Sequence, residues 1–307
     1  MDTPVIIVIV VALLLLIVGT AVLLSRRKGT AEAAAQTTPP PGPAPASLGS
    51  RKQEMQNRIA EFMERDLFCL VIQPIIDFRA DKVCGGEVLS RLNHPERGVI
   101  FPDDFLPAVN NQGLHTKFDY YIFQKSCAWM SRTRTQSDKM EFLSCNFNRK
   151  TLSEEGVAQE LIRIADRYGV PHKELAIEIT EQYPQSNDPM FVENLKQLHA
   201  AGFRIFLDDY GQGCTSEQEL TQYPLDVVKI DRSMLVAAAT EEGRAGFLQA
   251  VALANRVGAL ITCEGIETEE QNSFVREAGC HYGQGFLFFK PMDLNQAYEM
   301  MEKSSIL

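Results

Sequence analysis

Residues 175–209 read LAIEITEQYPQSNDPMFVENLKQLHAAGFRIFLDD. An apolar run, Leu175–Thr180, carries one acid, Glu178, at its centre. A helical pattern over Pro189–Ala201 follows and ends at Gly202, as helices end at glycine. A second apolar run, Phe203–Leu207, leads directly into Asp208 and Asp209. Strand, helix and strand in so short a space predict two parallel strands joined by a crossover helix.

Outward from this unit the same alternation continues. Further strands are predicted at Phe68–Ile76, Val83–Ser90, Phe142–Phe147, Val227–Ile230, Ala259–Cys263 and Gly285–Phe289. Helices are predicted at Thr116–Ser131, Glu154–Tyr168, Gly243–Val257, Glu269–Ala278 and Leu294–Lys303. In Glu154–Tyr168, Val157, Leu161, Ile164 and Ala165 fall on one face. With the opening unit this makes eight strands, which matches an α/β fold of the (β/α)8 TIM-barrel type better than an open sheet. The first two strands are separated only by the turn Asp77–Lys82, too short for a crossover helix, so the first strand is predicted antiparallel.

Polar residues recur at the ends of these strands: Glu87, Asn146, Glu178, Asp208–Asp209, Lys229 and Glu264. One acid at a strand end means little. A series of them predicts one oxygen-rich pocket at the C-terminal mouth of a barrel, suited to hard divalent metals and phosphate chemistry. Each residue also has a structural reading: a salt bridge for Glu178 or Glu264, a turn for Asp208–Asp209 or Asn146, snorkelling for Lys229.

Composition narrows the classes. The chain has 307 residues, 45% of them hydrophobic, and a formal net charge of −10, which argues against a DNA or RNA polymer as partner. The seven cysteines form no C-x-x-C pair and read as reduced, buried side chains; the five histidines lack metal-ligand spacing. No glycine-rich nucleotide loop occurs. Val5–Leu24 is uncharged and apolar and is followed by Arg26–Arg27–Lys28, so residues 1–28 are expected to form a transmembrane anchor with a basic flank. Residues 29–50 are an Ala/Pro-rich linker, and residues 51–307 the barrel domain, entered through an amphipathic helix in Arg51–Asp66.

Taken in order, Glu87–Val88–Leu89 with Arg91, CNFNRKTL (145–152), IEITE (177–181), LDDYGQG (207–213), VKIDRS (228–233), CEGIETEEQ (263–271) and GQGFLFFKPM (283–292) resemble the EAL family of cyclic di-GMP phosphodiesterases. The resemblance covers nearly all of Leu67–Met292. It implies a barrel whose first strand is antiparallel, and hydrolysis of cyclic di-GMP to linear pGpG with two Mg²⁺ or Mn²⁺ ions. By matching positions, Glu87, Asn146, Glu178, Asp208 and Asp209 are expected to bind metal, with Asp208 bridging. Lys229 matches the lysine that orients or deprotonates the attacking water, and Glu264 a further acidic position needed at the metal site. Glu267 matches the glutamate that steadies the loop after the paired aspartates. Gln73, Leu89 and Arg91 match substrate-holding positions, and Gln284 the glutamine near the metal-bound water. A homodimer through the barrel is implied, and together with the anchor a single-pass protein of the bacterial inner membrane, its catalytic domain in the cytoplasm.

The sequence departs from the family pattern at Val88 and Leu92, and at Gln212 and Cys214 in the loop Tyr210–Ser216. That loop leaves a second reading open: a weak or inactive EAL module acting as a cyclic di-GMP receptor or a protein-interaction domain. The physical logic favours catalysis. Anionic oxygens shield a phosphodiester from its nucleophile, and cations amid oxygen ligands remove that shield. Lys229 favours an ionised water, and Arg91 has the donors to grip phosphate.

Overall fold

A computed structural model describes residues 58–133, 141–180, 188–211 and 217–303. Ten strands form one sheet: β1 Phe68–Asp77, β2 Lys82–His94, β3 Gly98–Ile100, β4 Phe142–Phe147, β5 Leu175–Thr180, β6 Arg204–Tyr210, β7 Val227–Ile230, β8 Leu260–Cys263, β9 Tyr282–Gly283 and β10 Met292–Asp293. Eight of them close into a barrel in the order β1-β2-β4-β5-β6-β7-β8-β9, with β9 returning to β1. β1 runs antiparallel to both neighbours, as the short turn before Lys82 requires, and the remaining barrel pairs are parallel. β3 and β10 are short antiparallel additions to β2 and β1.

Helices cover the outside. In Val157–Tyr168 the residues Val157, Ala158, Leu161, Ile164 and Ala165 are buried along one stripe, and Gly169 ends the helix in the left-handed region at φ 64°. Burying a Leu or Ile there contributes roughly 1.5–3 kcal/mol. Leu161→Asp would put an unpaired charge in that stripe. Helix Pro189–Ala200 starts where Asp188 accepts a hydrogen bond from the Met190 N–H and Pro189 fixes the first turn.

The barrel interior follows the two-residue period of its strands. Ile75, Cys84, Phe142, Ala176, Phe206, Val227 and Tyr282 form an apolar cluster separate from the helix-packed core, and this is the barrel floor. Two residues further along the parallel strands, the same face presents Ser144, Glu178, Asp208, Lys229 and Gln284. Gly85 pairs with Phe142 across β2 and β4. A Cβ there would lie 2.7 Å from the Phe142 ring, so the glycine leaves the room the floor needs.

Several expectations need correction. Gly285–Phe289 is not a strand: the last barrel strand is Tyr282–Gly283. The chain then passes so close to Ile266 that a Cβ at Gly285 would sit 2.1 Å from its carbonyl oxygen. The apolar run turns instead, with the Phe288 and Phe289 N–H groups donating to the Gly285 carbonyl. Helix Pro102–Asn111 was not predicted, and β2 runs to His94, past Ser90. The amphipathic helix is Ile59–Glu64, with Ile59, Phe62 and Met63 buried.

The transmembrane helix and the single-pass inner-membrane placement are not upheld. Among the described residues no helix is long and apolar enough to cross a membrane. The 19-residue helix His115–Thr133 carries Lys117, Asp119, Lys125 and Arg132. Val5–Leu24 and the linker at 29–50 lie outside the described residues, as does most of the Tyr210–Ser216 loop.

Candidate active site

Lys229, third residue of β7, is 1% exposed, and its Nζ meets four carboxylates. Glu264 Oε1 lies at 2.7 Å, Asp208 Oδ1 at 3.0 Å, Glu178 Oε2 at 3.1 Å and Glu87 Oε2 at 3.2 Å. Carboxylates from β2, β5, β6 and the end of β8, spread from residue 87 to residue 264 in sequence, therefore converge on one ammonium. Asn146 Nδ2 donates to Glu87 Oε1 at 2.9 Å, and Gln284 Nε2 donates to Glu87 Oε2 at 2.9 Å.

Adjacent strand residues normally point to opposite faces. Asp208 and Asp209 escape this because the β6–β7 register shifts between Leu207 and Tyr210, and Asp209 takes the left-handed region at φ 56°. Aspartate tolerates that region better than most residues. The result is two acid triads sharing Asp208: Glu87, Glu178 and Asp208, and Asp208, Asp209 and Glu264, each with oxygens within 4.8 Å of one another.

One ammonium cannot balance four carboxylates, three of them buried. Burial, then the neighbouring Glu87 charge, pushes Glu178 well above the carboxylate range despite Lys229. Burial likewise raises Asp208, and it raises Glu264 to about 8 and Asp209 to about 6. Glu87 goes the other way: burial is outweighed by Lys229 and by the Gln284 and Asn146 donors. Lys229 is held well above the ordinary lysine value, because its carboxylate neighbours outweigh burial. Its Nζ donates to Glu87 Oε2 and Glu178 Oε2.

The donor set fits hard divalent cations. Every proposed ligand offers oxygen. Glu178 Oε1 and Gln284 Oε1 are buried without a hydrogen-bond partner among the described residues. Asp208 Oδ1 likewise accepts no hydrogen bond of good geometry, its approach to Lys229 being an ion contact alone. Buried oxygens left in this state are costly unless something positive meets them.

Above the acids a cavity of about 270 Å³ opens, lined in part by Gln73, Leu89, Glu264, Glu267, Gln284 and Arg232. Gln73 Nε2 donates to the Phe289 carbonyl at 3.2 Å. Glu267 is paired with Arg232 at 2.8 Å. Arg91 is not among the residues lining this cavity: its guanidinium donates to the Ser90 carbonyl at 2.8 Å and stacks 4.8 Å from the Phe101 ring centre. A second cavity, of about 290 Å³, shares Leu89 with the first and reaches Asn146, Phe118, Ile122 and Asp119.

Asp119 and Arg232 are absent from the sequence-derived site. Asp119 accepts from Thr151 Oγ1 at 2.6 Å and from the Asn148 N–H at 2.9 Å, and burial raises its carboxyl to about 7. An acid inside the otherwise apolar pattern Phe118–Phe123 was the available signal for it. Arg232 falls within VKIDRS (228–233), but nothing in the sequence places it at the mouth.

The family model described as EAL domain matches residues 56–291. The "Probable cyclic di-GMP phosphodiesterase PdeA" of Escherichia coli (strain K12) is 29% identical over 78% of this chain and 32% of its own length. The "Cyclic di-GMP phosphodiesterase RocR" of Pseudomonas aeruginosa is 30% identical over 72% of this chain and 56% of its own length. The chain thus spans only part of either relative. Among solved structures, "PaMucR Phosphodiesterase, c-di-GMP complex" superposes with a TM-score of 0.75 at 27% identity, over 80% of this chain and 99% of that one.

Proposed function

The chain belongs to the EAL domain family, and on that premise we propose that it hydrolyses cyclic di-GMP to linear pGpG in a metal-dependent reaction. The observation that carries the reading is the pair of acid triads sharing Asp208 around buried Lys229. Glu87, Asn146, Glu178, Asp208, Asp209 and Glu264 would hold two Mg²⁺ or Mn²⁺ ions. Such ions, when bound, neutralise phosphoryl oxygens and acidify a coordinated water.

The protein's own part follows from its geometry. Lys229 donates toward the attacking water and favours its ionised form, while the carboxylates around it keep the ammonium protonated. Asn146 and Gln284 hold the Glu87 carboxylate by both oxygens, fixing it as a charged ligand. Glu267 stands over the mouth, and Gln73 and Leu89 wall its substrate side. The 290 Å³ cavity suits a purine, and Asp119 supplies an acceptor for the N–H donors of a guanine edge. A homodimer through the barrel belongs to the same proposal; exposed Val236 and Leu248 on the two helices after β7 support it.

The test is product analysis. The purified 307-residue chain with cyclic di-GMP and Mg²⁺ or Mn²⁺ should yield pGpG, and EDTA should stop it. Tight nucleotide binding with no conversion under either metal would favour the receptor reading instead.

A further inference from the structure

We propose that Arg232 is a positioning residue that grips the uncleaved phosphate of the dinucleotide at the barrel mouth, an inference that rests on the phosphodiesterase reading above. The cavity over the metal-binding acids is lined by Glu87, Asp208, Glu264 and Glu267, and among the described residues Arg232 is the only cation lining it. Lys229 lies beneath, buried and surrounded by carboxylates. Arg91 is engaged with Ser90 and Phe101 outside this lining. A cyclic dinucleotide has two phosphates. When one sits over the acids for cleavage, the other meets an acidic rim unless a cation faces it.

Two features aim Arg232 at that task. Its stem lies flat on Gly265, where a Cβ would stand 2.4 Å from Arg232 Cγ, and Gly265 holds φ +67°. This lays the arginine across the strand end that carries Glu264. Its guanidinium is tied to Glu267 Oε1 at 2.8 Å, with both side chains about half exposed. An exposed pair of this kind is weak and easily exchanged. A phosphate offers paired anionic oxygens that match the guanidinium fork, so Arg232 changes partner from Glu267 to phosphate as nucleotide enters.

The experiment compares the 307-residue wild-type chain, Arg232→Ala and Arg232→Lys by steady-state turnover of cyclic di-GMP with Mn²⁺ and by calorimetric binding of pGpG with Mg²⁺. Arg232→Ala should raise both KM and the pGpG Kd about tenfold, the loss expected for one charge-assisted contact, with kcat close to wild type. Arg232→Lys should recover part of the affinity, which a merely structural role would not produce. Unchanged KM and Kd, or a loss confined to kcat, would overturn the inference while wild-type turnover left the phosphodiesterase reading intact. A wild type that neither binds nor cleaves would remove both.

Discussion

At the scale of single residues, Lys229 is the centre of the site. It is the cation that lets Glu87, Glu178, Asp208 and Glu264 occupy one buried spot. Removing one partner of a buried ion pair costs about 3–5 kcal/mol. Lys229→Met should lose at least that much in urea unfolding of metal-free protein, and Mn²⁺ should recover stability without recovering turnover. Asp119 makes a second residue-scale prediction. Asp119→Asn replaces one of the two acceptor oxygens of the proposed guanine contact with a donor, so KM for cyclic di-GMP should rise at least tenfold while metal affinity stays unchanged. The strand-end acids and Lys229 were legible in the sequence because a charge inside an apolar run needs a reason. Arg232 was not, because a cation on a helix after a strand looks like any solvated arginine until the fold brings it over Gly265.

At the scale of elements, the parallel strands carry a gradient from apolar floor to charged mouth, repeated every second residue. Phe142, Ser144 and Asn146 on β4 show it, as do Ala176 and Glu178 on β5 and Val227 and Lys229 on β7. Phe142 belongs to the floor, fully buried and packed edge-on against Phe206 at 5.2 Å. Phe142→Ala should cost about 3–5 kcal/mol of stability, read by chemical denaturation, with little effect on KM. The antiparallel start was legible because six residues from Asp77 to Lys82 cannot span a crossover. The β6 bulge was not. Its signal is a left-handed aspartate, and aspartate also fits ordinary turns. The run Gly285–Phe289 misled because hydrophobicity without period does not separate a strand from a turn packed on a core. Its close passage by Ile266 is a tertiary fact.

At the scale of the whole molecule, the site trades stability for the ability to bind cations. Glu178, Asp208 and Glu264 are all held above their unfolded values in the metal-free fold. An acid in that position stabilises the fold fully below its unfolded value and loses the contribution as pH rises through its folded value. Glu87, shifted downward, contributes stability that is fully present above its unfolded value and is lost only as pH falls below it, outside this window. The metal-free protein should therefore lose thermal stability between about pH 4.5 and 8, the limits set by Glu264, and saturating Mg²⁺ should flatten that fall. A Tm that rises across this window without metal would show that the acids are not mutually destabilising. Mn²⁺ titration of metal-free chain, followed by electron paramagnetic resonance, tests the shared-ligand centre most directly. Wild type should bind two ions per chain, and Asp208→Asn, which alters the side chain common to both triads, should bind fewer and more weakly. No saturable Mn²⁺ binding, or binding that Asp208→Asn leaves unchanged, would contradict the account.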